Sequence, residues 1–527
     1  LTAADSIGRP KFLSTVPRAV AGFFCYAQGS AFVFALFLSA LVLHWPSWLL
    51  KGATSTPSDF QISAAALFLT LGFIRSSELP NHTTFMLRCL GVTLAAFSLA
   101  QVMPHELASL SGTEWLSIYA LPYLAVVGAA IGWFRPAFLI IPICAASWYR
   151  FAFASKAGFA VAWGEELTLQ ESCLFILVGA LVTAFLSRGS TTVRRNSAPI
   201  FATLLLAACA IHFGNYFHSA VAKVRLDGGV FDWLMTNRTY LLLASAEGIG
   251  TNVFNGTGLE QWIFNTFRSN ILLVNFVTLA TQFAAILVIP FITATRVMLM
   301  IYDVFHISIG VSTGIFFYLW ISMNVAFTVA LGYITATIRI LPRISFALMT
   351  LLSAKAFTIF EAGWYETHAY NRMSIIAVTA DGQEARISPR AFGFYSYYFY
   401  SDYVLGQKWK EENAFQPAFY GTTYKSALRK DADACTLPGG IAPMELAPFV
   451  GPAVRFLHQG ASRTIWPSAI KFPPYHFLED GVSFTQIDRA RIVAYKFNWQ
   501  ARCIVETPAG YTQNIIRSDS KTVSVEQ

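Results

Sequence analysis

Residues 211–223, Ile-His-Phe-Gly-Asn-Tyr-Phe-His-Ser-Ala-Val-Ala-Lys, concentrate side chains capable of chemistry inside an apolar setting. They follow the run Ile200–Ala210, which reads as the body of a membrane helix. At 100° per residue, His212, Asn215, Tyr216, Ser219 and Lys223 fall on one side of that helix, within a sector of about 100°. Such a stripe is costly against lipid. It is expected to face the bundle interior or a wet cavity, which marks a functional site in a membrane protein by default. A lysine that gives up its proton there is a general base. The competing reading is structural: Lys223 snorkels to the headgroups and the other residues hydrogen-bond between helices.

A second stretch, Ile301-Tyr-Asp-Val-Phe-His306, opens the long apolar run 307–334. Asp303, His306, Gly310 and Phe317 share a helix face, with the carboxylate one turn from the histidine and able to orient it. Against this stands the frequency of carboxylates at helix ends. Gln101, Asn275, Gln282, Asn324 and Lys355 also lie in apolar runs, where single polar residues serve mainly as interhelical hydrogen-bonding groups. The chain lacks a phosphate-binding glycine loop, an HExxH pair and a Gly-x-Ser-x-Gly elbow. His368, His458 and His476 are far apart, so no metal-ligand cluster is expected. Glu165 and Glu166 beside Trp163 read as a solvated pair, and the sequons at Asn81, Asn237 and Asn255 matter only in a eukaryotic secretory membrane.

The elements that position these residues follow from composition. The 527 residues are 55% hydrophobic and 13% charged, with a mean hydropathy of +0.51. Soluble domains carry about 25% charged residues, so this is an integral membrane protein. Its 46 Phe and 13 Trp suit lipid-facing surfaces and interfacial belts. The net charge of +8 is scattered or sits at the ends of apolar runs. It speaks for topology and anionic lipid, not for nucleic acid. Leu1–Arg18 is polar and basic, and no cleavable signal is expected.

A span needs roughly 20 apolar residues. Candidates are Val20–Leu43, Ile62–Ile74, Phe85–Val102, Trp115–Trp133, Ala137–Phe153, Cys173–Phe185, Ile200–Ala220, Ile271–Ile292, Ile307–Ile334 and Ile344–Ile359, which makes about ten. Tyr240–Ile249 is too short to cross and is followed by the Gly-rich segment Gly248–Gly258. The loop holding Arg188, Arg194 and Arg195 is the most basic and is expected in the cytoplasm. Counting forward puts Lys223–Arg268 outside and the tail inside; one more span at Tyr240–Ile249 would move the tail outside. After about Phe360, Met373–Thr379, Ala-Asp-Gly and Gln383–Ser388 form a hairpin pattern. Arg489–Trp499, Arg502–Thr507 and Tyr511–Ile516 read as further strands, and Met444–Gln459 as a short helix. The fold expected is therefore an all-α polytopic bundle over residues 1–362 with a small β-rich domain over 363–527. Cys435 and Cys503, alone outside apolar runs, are able to pair if the tail faces an oxidising compartment.

Tyr-Phe-His-Ser-Ala-Val-Ala-Lys-Val at 216–224, a short loop and Asp232-Trp233 resemble the motif of the vitamin K-dependent gamma-carboxylase superfamily, which includes bacterial HTTM-domain proteins. The resemblance puts Lys223 on that family's basic lysine and Trp233 on its motif tryptophan. It matches His306 to a late-helix histidine, and Phe357–Ser388 to the opening of a β-rich domain. The sequence departs from the motif at Ala222, where the carboxylase has a second lysine, and in a longer loop before Trp233. The resemblance implies a bacterial-type enzyme of the inner membrane that oxidises a lipid-soluble hydroquinone. Lys223 would act as base, His212 or His306 would orient the quinol, and Tyr216, Trp233, Asn215 and Asp303 would line the site. The alternative is a scaffold or accessory subunit that binds lipid, pigment and other membrane subunits. A transporter is the third reading, weakened by the lack of an inverted repeat.

Overall fold

The computed structural model describes residues 18–46, 66, 68–100, 120–157, 164–334, 340–389, 396–406, 419–436, 444–460, 487 and 489–525. Its first helices are α1 (Arg18–Leu43), α2 (Asn81–Ala100), α3 (Leu121–Gly132), α4 (Ile140–Ala157), α5 (Gly164–Gly189) and α6 (Thr191–Val224). Three short helices follow, α7 (Asp232–Thr236), α8 (Tyr240–Ile249) and α9 (Leu259–Ser269). The helical part closes with α10 (Ile271–Val288), α11 (Ile292–Thr313), α12 (Tyr318–Gly332) and α13 (Ile340–Ala356).

Helix α6 is the axis of the bundle. Ser190 caps it, its hydroxyl accepting from the Val193 amide at 3.3 Å. Its 34 residues make a rod of roughly 50 Å at 1.5 Å per residue, longer than the hydrocarbon core. From Ile200 to Phe217 every side chain is buried, because α1, α5, α10 and α13 surround it. A helix buried on all sides is central, and its polar side chains then face the interior. Gly214 allows the approach of α13: a Cβ there would lie 2.0 Å from Ser353 Oγ.

Among the described residues five helices, α2, α5, α6, α10 and α11, are long and apolar enough to cross a membrane. The expected ten is not reached. Other apolar helices, among them α3, α8 and α12, are only 10–17 residues long in their apolar parts. The run Ile62–Ile74 ends in a turn at 71–73, and Ala137–Phe153 begins as a 3-10 turn before α4. Part of Trp115–Trp133 lies outside the described residues, as do Trp163, Gln101 and His476.

The run 307–334 is not one span. It breaks at Gly314, whose φ of +77° ends α11, and α12 returns antiparallel beside α11. The span begins at Ile292, so Asp303 and His306 lie in its middle and not at its opening. The sequence hid this because Arg296 interrupts the first turns; its guanidinium donates inward to the Thr328 carbonyl at 2.9 Å. The additional helix changes the side of the tail. Arg188, Arg194 and Arg195 mark one end of the α5–α6 hairpin, and the chain after α6 and after α13 emerges at the other.

That other end carries the strands. A four-stranded antiparallel sheet has the order β3 (Glu384–Arg386), β2 (Ala369–Thr379), β5 (Ile492–Thr507) and β6 (Gly510–Ser524). A two-residue pair joins β1 (Tyr365–Glu366) to β4 (Thr422–Thr423). Burial alternates along β2, as its period-two pattern requires, and the Asp381-Gly382 turn joins β2 to β3 with Gly382 at φ +79°. The two strands expected at 489–499 and 502–507 form the single β5, with a bulge against β6 at Ala501/Arg502. The helix expected over 444–459 is confined to Val450–Gly460.

Helices α8 and α9 cover this sheet: Tyr240 donates to Glu506 at 2.9 Å and Arg268 to the Thr507 carbonyl at 2.8 Å. His368 is satisfied between Glu506 (3.0 Å) and Asp433 (3.3 Å). The latter ends a short helix at Ser426–Asp433. Cys435 and Cys503 are joined by a disulfide with their Cα atoms 5.8 Å apart. Disulfides persist in oxidising compartments and basic loops stay in the cytoplasm. The disulfide-bearing sheet and the arginine-rich loop stand at opposite ends of one bundle.

Candidate functional site

The polar stripe on α6 divides into two constellations. Its lower half, Asn215, Ser219 and Lys223, is spaced at four residues and faces one partner, the extended segment 358–366 that leads from α13 into the sheet. The Phe360 amide donates to Asn215 Oδ1 at 2.9 Å. Ser219 Oγ donates to the Phe360 carbonyl at 3.2 Å and accepts from the Ala362 amide at 3.0 Å. Lys223 Nζ donates to the Ala362 carbonyl. On either side, Thr358 N and Oγ1 donate to Glu171 of α5, Trp233 Nε1 donates to the Trp364 carbonyl at 2.8 Å, and the Glu366 amide donates to Asn237 at 3.0 Å. The side-chain bonds named here all go to even-numbered residues, because alternate peptide groups of an extended chain point to opposite sides.

This pattern has a physical reason. Over 358–364 the extended backbone packs on helices with no strand beside it, so side chains supply its partners. Gly363 completes the fit. A Cβ there would lie 2.7 Å from both the carbonyl carbon and the Cβ of Ala222, and 2.9 Å from Lys223 N. Lys223 is 8% exposed, with its amine 5.4 Å from the Trp233 ring. It is therefore buried, not snorkelled. Burial raises the Glu366 carboxyl above the ordinary range, against the opposing pull of its Asn237 hydrogen bond and the Lys223 charge.

The upper half of the stripe, His212 and Tyr216, meets α11 and α12. The antiparallel hairpin sets Asn324 opposite Asp303, and the Asn324 amide joins three groups through four contacts. Its Nδ2 donates to Asp303 Oδ1 at 2.9 Å and to Tyr216 OH at 3.0 Å. Its Oδ1 lies 2.8 Å from His212 Nε2 and 3.3 Å from Tyr216 OH. Because the carboxylate fixes Nδ2 as the donor end, His212 must carry its proton on Nε2. That leaves Nδ1 as a lone pair, without a hydrogen-bond partner among the described residues. Tyr216 stacks on Tyr302 with centroids 3.6 Å apart.

His306 is 2% exposed, walled by Phe317 (4.9 Å), Trp320 (5.5 Å) and Tyr216 (5.6 Å), and its Nδ1 is also without a partner. The Asp303 carboxylate bonds Asn324 and forms no hydrogen bond with His306 among the described residues. Two unpaired imidazole nitrogens and a carboxylate thus share one membrane-depth nest. Asn324, Tyr302 and Trp320 are the members that sequence reasoning did not assign to a site. Asn324 stood out only as a polar residue in an apolar run.

The seven sequence-derived candidates therefore fall into two groups. His212, Tyr216, Asp303 and His306 come together; Asn215, Lys223 and Trp233 lie along the extended segment. Among the described residues no three His, Cys, Asp or Glu side chains are placed to hold a metal ion. No protein-family model, curated protein or solved structure matches this chain. The five apolar spanning helices make it a membrane-embedded protein, and its site must be interpreted from its own chemistry.

Proposed function

We propose that the chain is a multi-pass inner-membrane protein of bacterial type that binds a lipid-soluble quinol or quinone at the His212–Asn324–Asp303–His306 nest. The observation that carries this reading is Asp303. It is a carboxylate in the middle of a helix whose neighbours Ile301, Val304 and Ile307 are exposed on the lipid side, and one amide ties it to a buried histidine. A charged carboxylate at the centre of a membrane helix costs roughly 2.5–3.5 kcal/mol, an expense that usually accompanies function.

The nest suits a planar dihydroxy ring. His306 Nδ1, without a partner among the described residues, is the hydrogen-bonding group offered to a ring oxygen, and Tyr216, Trp320 and Phe317 supply aromatic faces. Asn324 has no readily exchanged proton, so its part is to orient: it holds His212 in one tautomer and Asp303 in one position. This agrees with the quinol chemistry implied by the resemblance to the gamma-carboxylase superfamily, but it moves the proton-accepting group away from Lys223. Lys223 is held on the Ala362 carbonyl, among the partners of the extended segment and not among those of the nest.

The clamp on 358–366 favours a second reading. In it the bundle is a scaffold that fixes an extracytoplasmic sheet for membrane partners and lipids, and the nest only supports packing. The two readings separate in one experiment. The full chain in nanodiscs is titrated with a short-chain quinone while tryptophan emission, including that of Trp320, is recorded. Saturable quenching, weakened about tenfold or more by His306→Phe and by Asp303→Asn, supports the binding site. Linear, collisional quenching identical in all three proteins would leave the scaffold.

A further inference from the structure

At the arginine-rich end of the bundle a cavity of 850 Å³ opens between three pieces of chain. These are the turn before α2 (72–78), the α3–α4 connection (131–138) and the end of α5. It is lined by Arg75, Arg135 and Arg188 against one carboxylate, Glu78, and floored by Phe73 and Phe138. The walls are held in place. Ser76 donates from its amide to the Phe134 carbonyl (3.0 Å) and from Oγ to the Trp133 carbonyl (2.8 Å). Arg135 NH1 donates to the Phe73 carbonyl at 2.8 Å. Arg188 forks onto both Glu78 oxygens at 2.8–2.9 Å and lies over the Phe73 ring at 4.5 Å. Glu78 is engaged by the Arg188 guanidinium and the Arg75 amide, so one carboxylate faces three arginines in the lining, Arg75 among them exposed.

We infer that this cavity binds a phosphate group, supplied by the headgroup of an anionic phospholipid in the cytoplasmic leaflet. Guanidinium groups recognise phosphate oxygens bidentately, and Arg135 is already fixed by its bond to the Phe73 carbonyl, with less entropy left to lose. Basic pockets between helices on the cytoplasmic side receive phospholipid headgroups. Phe73 is 43% exposed beside the arginines, so an acyl chain finds apolar surface next to its own headgroup. Free phosphate shares the charge chemistry but has no use for that surface, which is why the lipid is the favoured source.

The test uses the full chain in nanodiscs of phosphatidylcholine with or without phosphatidylglycerol, with retained lipid counted by native mass spectrometry. Arg75→Gln removes an exposed guanidinium and should lower phosphatidylglycerol retention about fivefold. Glu78→Gln removes the competing carboxylate and should raise it. Arg225→Gln, an exposed arginine at the opposite end, should leave it unchanged. A parallel thermal-shift titration with inorganic phosphate identifies the source. Stabilisation of wild type but not of Arg75→Gln, without phosphatidylglycerol preference, assigns the site to free phosphate and overturns the lipid assignment. Equal retention in all four proteins, with no response to phosphate, removes the site altogether.

Discussion

Lys223 donates its amine to the carbonyl of Ala362, 139 positions along the chain. The bond ties the end of the central membrane helix to the segment that enters the sheet. The residue most suggestive of a base is thus also the last rung of a ladder that satisfies buried backbone.

Lys223→Met tests which role matters. Methionine keeps the volume of the stem and removes the donor. The Ala362 carbonyl, left buried and unpaired, should cost about 1–3 kcal/mol. A lower thermal midpoint is expected, with faster amide exchange across 358–366 and quinone affinity within twofold of wild type. Loss of quinone affinity with the midpoint unchanged would restore Lys223 to the binding chemistry.

The Cys435–Cys503 bridge closes a separation of 68 residues, and in the chain-entropy model a loop of that size is worth on the order of 4 kcal/mol. Cys435→Ser should therefore loosen the contact of helix Ser426–Asp433 with β5 and increase proteolysis there. In intact spheroplasts, reduction followed by a membrane-impermeant maleimide should label both cysteines. Labelling only after lysis would reverse the orientation of the bundle.

Stability should fall in acid through Asp433. Burial alone would raise this carboxyl, but the His368 hydrogen bond and the charges of Arg238, His368 and Arg429 outweigh it and hold it below the ordinary value of 3.8. A depressed carboxyl stabilises the fold above its unfolded value, and that stability is lost as pH falls through the folded value. The thermal midpoint should therefore drop below about pH 4, and Asp433→Asn should be less stable at neutral pH with a flatter acid limb. A wild-type acid limb that survives the substitution would assign it to other carboxylates.

The sequence carried the bundle and the hairpins well, for identifiable reasons. The apolar run Ile200–Ala210 reads as the body of a membrane helix and the polar stripe after it is expected to face inward, as it does, and the Asp-Gly turn at 381–382 sits between two alternating stretches. It carried the span count poorly, because Arg296 disguises the start of α11 and Gly314 breaks a run that reads as continuous. The stripe on α6 was visible, but its division was not. Helical periodicity says which side chains share a face; it does not say that Asn215, Ser219 and Lys223 meet a strand from 140 residues away while His212 and Tyr216 meet Asn324. Those partners are set by tertiary contacts that leave no local period.

The close approach of that strand depends on Gly363, and this gives the last prediction. A methyl group there would meet Ala222 and Lys223 backbone atoms at 2.7–2.9 Å, and helix backbone cannot move aside as a flexible side chain would. Gly363→Ala should push the segment off α6 and lengthen the bonds from Ser219 and Lys223 together, at a cost of about 1–3 kcal/mol. Because both substitutions act on one contact, Gly363→Ala and Lys223→Met should not add. The double variant should be less destabilised than the sum of the singles by more than the roughly 0.5 kcal/mol expected of independent sites. Unfolding midpoints of the four proteins in one detergent measure this coupling. Strict additivity would mean that Lys223 holds something other than the strand.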